Sequence, residues 1–208
     1  MPLIALVGNK GGAGKTTLSI NVASSLSRQN TVAVVDADPQ GSSLQWRAFS
    51  AREDAVPVIE ANENLEQQTK KLLDDYEYVI IDCPPSVHAT QTTKALGFSD
   101  VALVPVQPSP MDLWATVHIE EAVIKARDSN TDLNAYLVIN QLEPRTTLSK
   151  LVRDALTEIG LPVADTALRR RAIYRSSALE GKSVFDMGSR GKDAANELEQ
   201  LINEVLAQ

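Results

Sequence analysis

Apolar positions along the chain alternate between two patterns. Residues 3–7, 31–35, 56–59, 78–81, 101–104, 135–139 and 163–166 are short runs dominated by Val, Ile, Leu and Ala. Several have no polar alternation, as expected of strands buried on both faces. The stretches 16–28, 65–74, 90–96, 112–127 and 148–159 between them read as amphipathic helices. A last helix over 192–207 places Ala195, Leu198, Leu201, Ile202 and Val205 on one face. This rhythm predicts an α/β three-layer sandwich, a mostly parallel twisted sheet flanked by helices. No internal repeat, low-complexity tract or long linker interrupts it, so residues 1–208 read as one domain.

Directly after the first run comes Asn9-Lys10-Gly11-Gly12-Ala13-Gly14-Lys15-Thr16-Thr17. Between a strand and a helix, such a sequence reads as a phosphate-binding loop. Small residues let backbone N–H groups curl around a polyphosphate, and the following helix points its positive end at the anion. Gly11, Gly12, Ala13, Gly14 and Thr17 form the cradle, Lys15 reaches the β- and γ-phosphates, and the Thr16 hydroxyl holds Mg²⁺. The ligands expected are therefore ATP and Mg²⁺. The loop departs from G-x-x-x-x-G-K-[ST] in having Asn9 at the first glycine, followed by a second lysine, Lys10. A lysine at that end does not easily curl back into its own site. It is better placed to reach a phosphate held by a second subunit, so nucleotide-dependent dimerisation is expected.

In such sheets ligands bind beyond the carboxyl ends of the strands. Asp36-Ala37-Asp38-Pro39-Gln40-Gly41 follows the second run and Asp82-Cys83-Pro84-Pro85 the fourth. Asp82 is expected to orient Mg²⁺ through water, Asp36 to support the same shell, and Asp38 to align an attacking water. Asn140, just after a strand, is a candidate base contact. Cys83 reads as a small buried residue, and Trp114 as packed in the core or an interface rather than stacked on a ligand.

These motifs resemble the ParA/MinD group of deviant Walker ATPases. The likeness continues in 104–113, Val-Pro-Val-Gln-Pro-Ser-Pro-Met-Asp-Leu, similar to that family's proline-rich loop near the dimer interface. Residues 145–149 and 178–186 resemble its C-terminal motifs. The likeness spans almost the whole chain and is nearest to short ParA proteins, the ParF-type plasmid partition ATPases and the McdA proteins that space carboxysomes. It implies that Lys10 is the signature lysine acting across a dimer, that Asp82 is the Walker B acid, and that ATP drives a sandwich homodimer that binds DNA without sequence preference. It also implies a ParB-like or McdB-like cargo adaptor that stimulates hydrolysis.

Composition is that of an ordinary soluble protein, 43% hydrophobic and 23% charged. One cysteine suits a reducing cytoplasm and excludes a disulfide framework. It also excludes an electron-transfer relative whose shared cluster needs two cysteines per subunit. Net charge is −7, but residues 168–192 carry seven basic residues against two acidic ones, a local +5 that leaves −12 elsewhere. Arg169, Arg170, Arg171 and Arg190 of this segment are the candidates for non-specific DNA contact and hence nucleoid association. A membrane-cycling role needs a basic amphipathic tail. Beyond Lys192 there is no Lys or Arg, so no membrane partner is expected. A small-molecule synthetase on the same scaffold is disfavoured by Lys10 and by the basic segment.

Overall fold

Six strands, β1 (Leu3–Leu6), β2 (Val32–Asp36), β3 (Val58–Glu60), β4 (Tyr78–Asp82), β5 (Val101–Val106) and β6 (Asn134–Ile139), form one sheet in the order β3-β2-β4-β1-β5-β6. The computed structural model describes residues 2–144 and 146–206. Arg145, at the head of one resembling motif, lies outside them, as does Ala207 of the last expected helix. Every strand pair is parallel, with Leu3 opposite Val79 and Ile4 opposite Val101. The sheet therefore grows from β1 towards β3 on one side and towards β6 on the other. The crevice beyond the carboxyl end of β1 is the switch point where such folds take their ligands.

The unbroken apolar strands are explained by two cores. Leu3, Ala5 and Val7 point to one face, where α3 (Leu65–Leu72), α4 (Thr90–Leu96), α5 (Pro110–Arg127) and α6 (Thr147–Thr157) close the layer through Leu65, Leu96, Ile119 and Val152. Ile4 and Leu6 point to the other face, against Leu18, Ile20 and Val22 of α1 (Lys15–Leu26) and Leu198, Leu201 and Val205 of α8 (Lys192–Leu206). Each such aliphatic side chain contributes about 1.5–3 kcal/mol on burial. Both faces of β1 being dry, a polar residue in it would meet no solvent. In α8 it is Ala194, rather than Ala195, that is fully buried with the leucines.

The seventh expected strand is absent from the sheet. Leu137 N–H donates to the Pro162 carbonyl and Ala164 N–H donates to the Leu137 carbonyl, both at 2.8 Å, which leaves Val163 in an isolated bridge. The next two N–H groups, of Asp165 and Thr166, donate to the Glu204 carboxylate on α8 at 2.5 and 3.0 Å. A side chain thus takes the donors a ladder would need. Two helices not foreseen complete the chain, α2 (Ser42–Phe49) and α7 (Ala172–Leu179). A 3-10 segment, Val184–Arg190, is opened by a reciprocal cap between Ser183 and Asp186. Among the described residues no helix is long and apolar enough to cross a membrane.

Candidate functional site

The segment from Gly8 to Gly14 links β1 to α1 at the switch point. Gly12 (φ 81°) and Gly14 (φ 97°) adopt the left-handed conformation that side chains resist. A Cβ on Gly14 would also lie 2.4 Å from Asn140 Nδ2. Three amides hold the loop's carbonyls. Gln107 and Gln141 donate to Gly12 O at 2.6 and 3.3 Å, and Asn140 donates to Ala13 O at 2.7 Å. Carbonyls drawn into protein leave the loop's N–H groups as the groups available to an anion. Asn140, expected at the base, is here a brace of the loop, and its Oδ1 accepts the Gln141 N–H. Gln141 adopts φ 57°, a left-handed strain that functional sites often hold. Neither glutamine was singled out from the sequence.

Lys15 heads α1 and is only 7% exposed. Its ammonium donates to the Lys10 carbonyl at 3.2 Å. Burial pulls its pKa below the ordinary lysine value, against the pull of Asp82 and Asp38. Lys10 behaves differently. Its side chain leaves the loop and pairs at 3.0 Å with Asp112, a 5%-exposed carboxylate in the first turn of α5. Asp112 is itself held by the helix cap Ser109. Met111 and Trp114, in the first turns of α5 on either side of Asp112 in sequence, are exposed. Trp114 is 69% exposed, so of the two packings expected for it the core is excluded and an interface is left.

The three acids stand at the ends of the neighbouring strands. Asp82 is fully buried. Its Oδ2 accepts the Ser43 hydroxyl at 2.7 Å, and its Oδ1 has no hydrogen-bond partner among the described residues. Burial pushes its pKa up to about 6, against the hydrogen bond from Ser43. Asp36 is also raised by burial, offset by the N–H groups of Leu44 (2.9 Å) and Asp38 (3.2 Å). Asp38 is half-buried and accepts the Gln40 N–H. An orphaned, buried carboxylate oxygen beside the half-buried Thr16 is what a hard cation would satisfy. Among the described residues no three His, Cys, Asp or Glu side chains form a metal cage. A Mg²⁺ ion held chiefly by phosphate and water needs none, so the residues present fit the ion. Cys83 is wholly buried, and burial raises its thiol pKa. This agrees with a packing role.

The arginines at the head of the basic segment pair with acids contributed from elsewhere. Arg171, 24% exposed, lies 2.6 Å from Glu197 and 3.4 Å from Asp193. Arg169 reaches Glu197 at 3.5 Å and Arg170 reaches Glu143 at 2.6 Å. Lys182 pairs with Glu180. Arg175, Arg190 and Lys192 are exposed and take no part in these pairs. Arg169, Arg170 and Arg171 also line a cavity of about 200 Å³ shared with Gly14, Thr17 and Asn140. Three of the four residues expected on DNA therefore stand beside the phosphate loop.

A glycine loop on the central strand, a buried lysine and paired acids on adjacent strands define a P-loop nucleotide-binding domain. The chain belongs to the CobQ/CobB/MinD/ParA nucleotide-binding domain family, whose model matches residues 4–184. It is 41% identical over 206 residues to the maintenance of carboxysome distribution protein A of Halothiobacillus neapolitanus, covering 98% of this chain and 95% of that one. Its fold is that of apo McdA from Cyanothece, with a TM-score of 0.81 at 17% identity over 99% of both chains. It also shares the fold of a Mycobacterium smegmatis cobyrinic acid a,c-diamide synthase bound to an ATP analog and magnesium, with a TM-score of 0.73 at 24% identity over 86% of this chain and 93% of that one.

Proposed function

We propose that this chain is a Mg²⁺-dependent ATPase that pairs with a second copy when ATP is bound, binds nucleoid DNA without sequence preference and positions carboxysomes in the cytoplasm. Hydrolysis to ADP and phosphate is stimulated by an McdB-like adaptor on the cargo. The observation that carries the ATP-switch reading is the conformation of Lys10. Its ammonium is drawn out of its own loop to Asp112, beside the exposed Met111 and Trp114, on a face open to a second subunit. The cargo reading rests on the relationship to the Halothiobacillus protein.

In this reading the loop N–H groups from Gly11 to Thr17 and the Lys15 ammonium bind the β- and γ-phosphates. The cavity beside Asn140 would take the nucleoside. Thr16 and, through water, Asp82 hold Mg²⁺, with Asp36 supporting that shell. The metal supplies charge neutralisation on the phosphates. Asp38 orients the attacking water, and Lys10 leaves Asp112 to reach the neighbour's γ-phosphate. Phosphoryl transfer asks for little beyond alignment and charge stabilisation. DNA contact falls to Arg190 with Arg169 and Arg170; the Arg170–Glu143 pair is exposed, hence weak, and exchanges readily for phosphate. Arg171, half-buried and paired with Glu197 and the exposed Asp193, also fastens α7 to α8.

Asp38→Ala tests the switch. With ATP it is expected to bind nucleotide, hydrolyse it at least about a hundredfold more slowly, and sit on DNA as a stable dimer by light scattering and filter retention. Wild-type turnover would remove Asp38 from the chemistry. A monomer with saturating ATP would end the dimer reading. The cargo is tested in the host. Deleting the gene is expected to cluster carboxysomes that are otherwise evenly spaced, and an unchanged distribution in fluorescence micrographs would reject this cargo.

A further inference from the structure

The loop that carries Asp38 is fastened to the two buried acids at three points. Asp36 accepts the Asp38 N–H through Oδ1 and the Leu44 N–H through Oδ2. Between these, Ser43 donates its hydroxyl proton to Asp82 Oδ2 at 2.7 Å. Ser43 and Asp82 are both fully buried and stand 39 residues apart in the chain. The other oxygen of Asp82 is buried and unpartnered among the described residues. Ser43 lies in the first turn of α2, the helix whose Trp46 indole N–H donates to the Lys182 carbonyl at 3.4 Å.

This geometry gives the Ser43 hydroxyl two consequences. A carboxylate held at one oxygen by a buried donor cannot rotate freely, so Ser43 fixes which lone pairs Asp82 presents on its open side. Conversely, when a cation's water engages that open side and the carboxylate turns, the first turn of α2 must follow. The Asp38 backbone moves with it, because Asp36 ties residues 38 and 44 together. We infer that Ser43 is a positioning residue that couples cation engagement at Asp82 to the placement of the Asp38 loop. The inference rests on the Mg²⁺–ATP reading of the site.

The experiment uses the full chain in a Trp114→Phe background, which leaves Trp46 as the sole tryptophan and reporter of α2. Mg²⁺ is titrated into protein saturated with ATP in metal-free buffer, reading Trp46 emission and turnover. In the background protein the emission change and the activity are expected to rise together. Ser43→Ala is expected to raise the half-saturating Mg²⁺ concentration about tenfold, as loss of a partner to a metal's carboxylate does. It should also remove the emission change at Mg²⁺ levels that saturate the background, and lower kcat with the KM for ATP little altered. Ser43→Thr, which keeps the hydroxyl, is expected to recover the Mg²⁺ midpoint. Ser43→Cys, near in volume but a weak donor, should resemble Ser43→Ala and covers the case in which the extra methyl does not fit. Unchanged Mg²⁺ midpoints and emission responses in Ser43→Ala and Ser43→Cys would overturn the inference, leaving Ser43 a packing residue. Wild-type protein that neither binds nor hydrolyses Mg²⁺–ATP would instead overturn the reading of the site.

Discussion

Replacing Lys15 by Gln is expected to weaken ATP binding at least about a hundredfold without unfolding the protein. The ammonium is buried at the start of α1 and donates to the carbonyl of its own loop, so it is preset where the β- and γ-phosphates would lie. Removing one member of a buried, hydrogen-bonded charge pair costs about 2–5 kcal/mol of binding, and a hundredfold is about 2.7 kcal/mol. Stability should move the other way. Burial lowers the Lys15 pKa in the folded state, so the unfolded chain binds more protons in the window between that lowered value and 10.5. Stability rises with pH through that window. Below it the buried charge is a cost, and Gln removes that cost. Without nucleotide the variant should therefore melt at or above the wild-type temperature. Calorimetric ATP affinity within a few-fold of wild type would take Lys15 out of the phosphate site.

The second large effect is at Asp82. In EDTA at pH 7, Asp82→Asn is expected to stabilise the protein by up to about 3 kcal/mol. For a chain of this length that is an increase in Tm of up to about 6–12 °C. Mg²⁺-dependent turnover should be lost. The sign follows from the carboxyl's elevated pKa of about 6 against an ordinary 3.8. Between those values the folded state holds a proton that the unfolded state has released. Stability of the wild type accordingly falls as pH rises from about 4 to 6, and above 6 the full cost of the buried charge is present. The advantage of the Asn variant should thus be greatest at pH 7 and shrink towards pH 4. A variant less stable than wild type at pH 7 in EDTA would show that the site is not strained by its own carboxylate.

The phosphate loop, the three acids and the six strands were legible because each is a local pattern: a glycine run after an apolar run, or an acid ending a Val/Ile stretch. What was not legible depends on partners distant in sequence. The run at 163–166 carries the residues of a strand, yet its ladder donors are taken by Glu204 nearly forty residues later. The basic segment sums to +5, but Glu143, Asp193 and Glu197, which lie outside it, neutralise much of it in space. Asp112 reads as an ordinary helix-start acid, and nothing near it points to Lys10, 102 residues away. Gln107 and Gln141 brace the loop through side-chain amides that carry no period or spacing to detect. α2 escaped notice because it is short and buries only Ser43 fully, leaving no apolar stripe to find.

The place of β1 between β4 and β5 fixes when the nucleotide site can exist during synthesis. The loop's strand meets its two neighbours only when Leu3 finds Val79 and Ile4 finds Val101. A ribosome adding about 5–20 residues per second needs on the order of ten seconds to reach β5 after making the loop. The glycine turn thus hangs from an unpaired strand until β4 emerges and from a half-paired one until β5 does, so a motif made early gains its full support late.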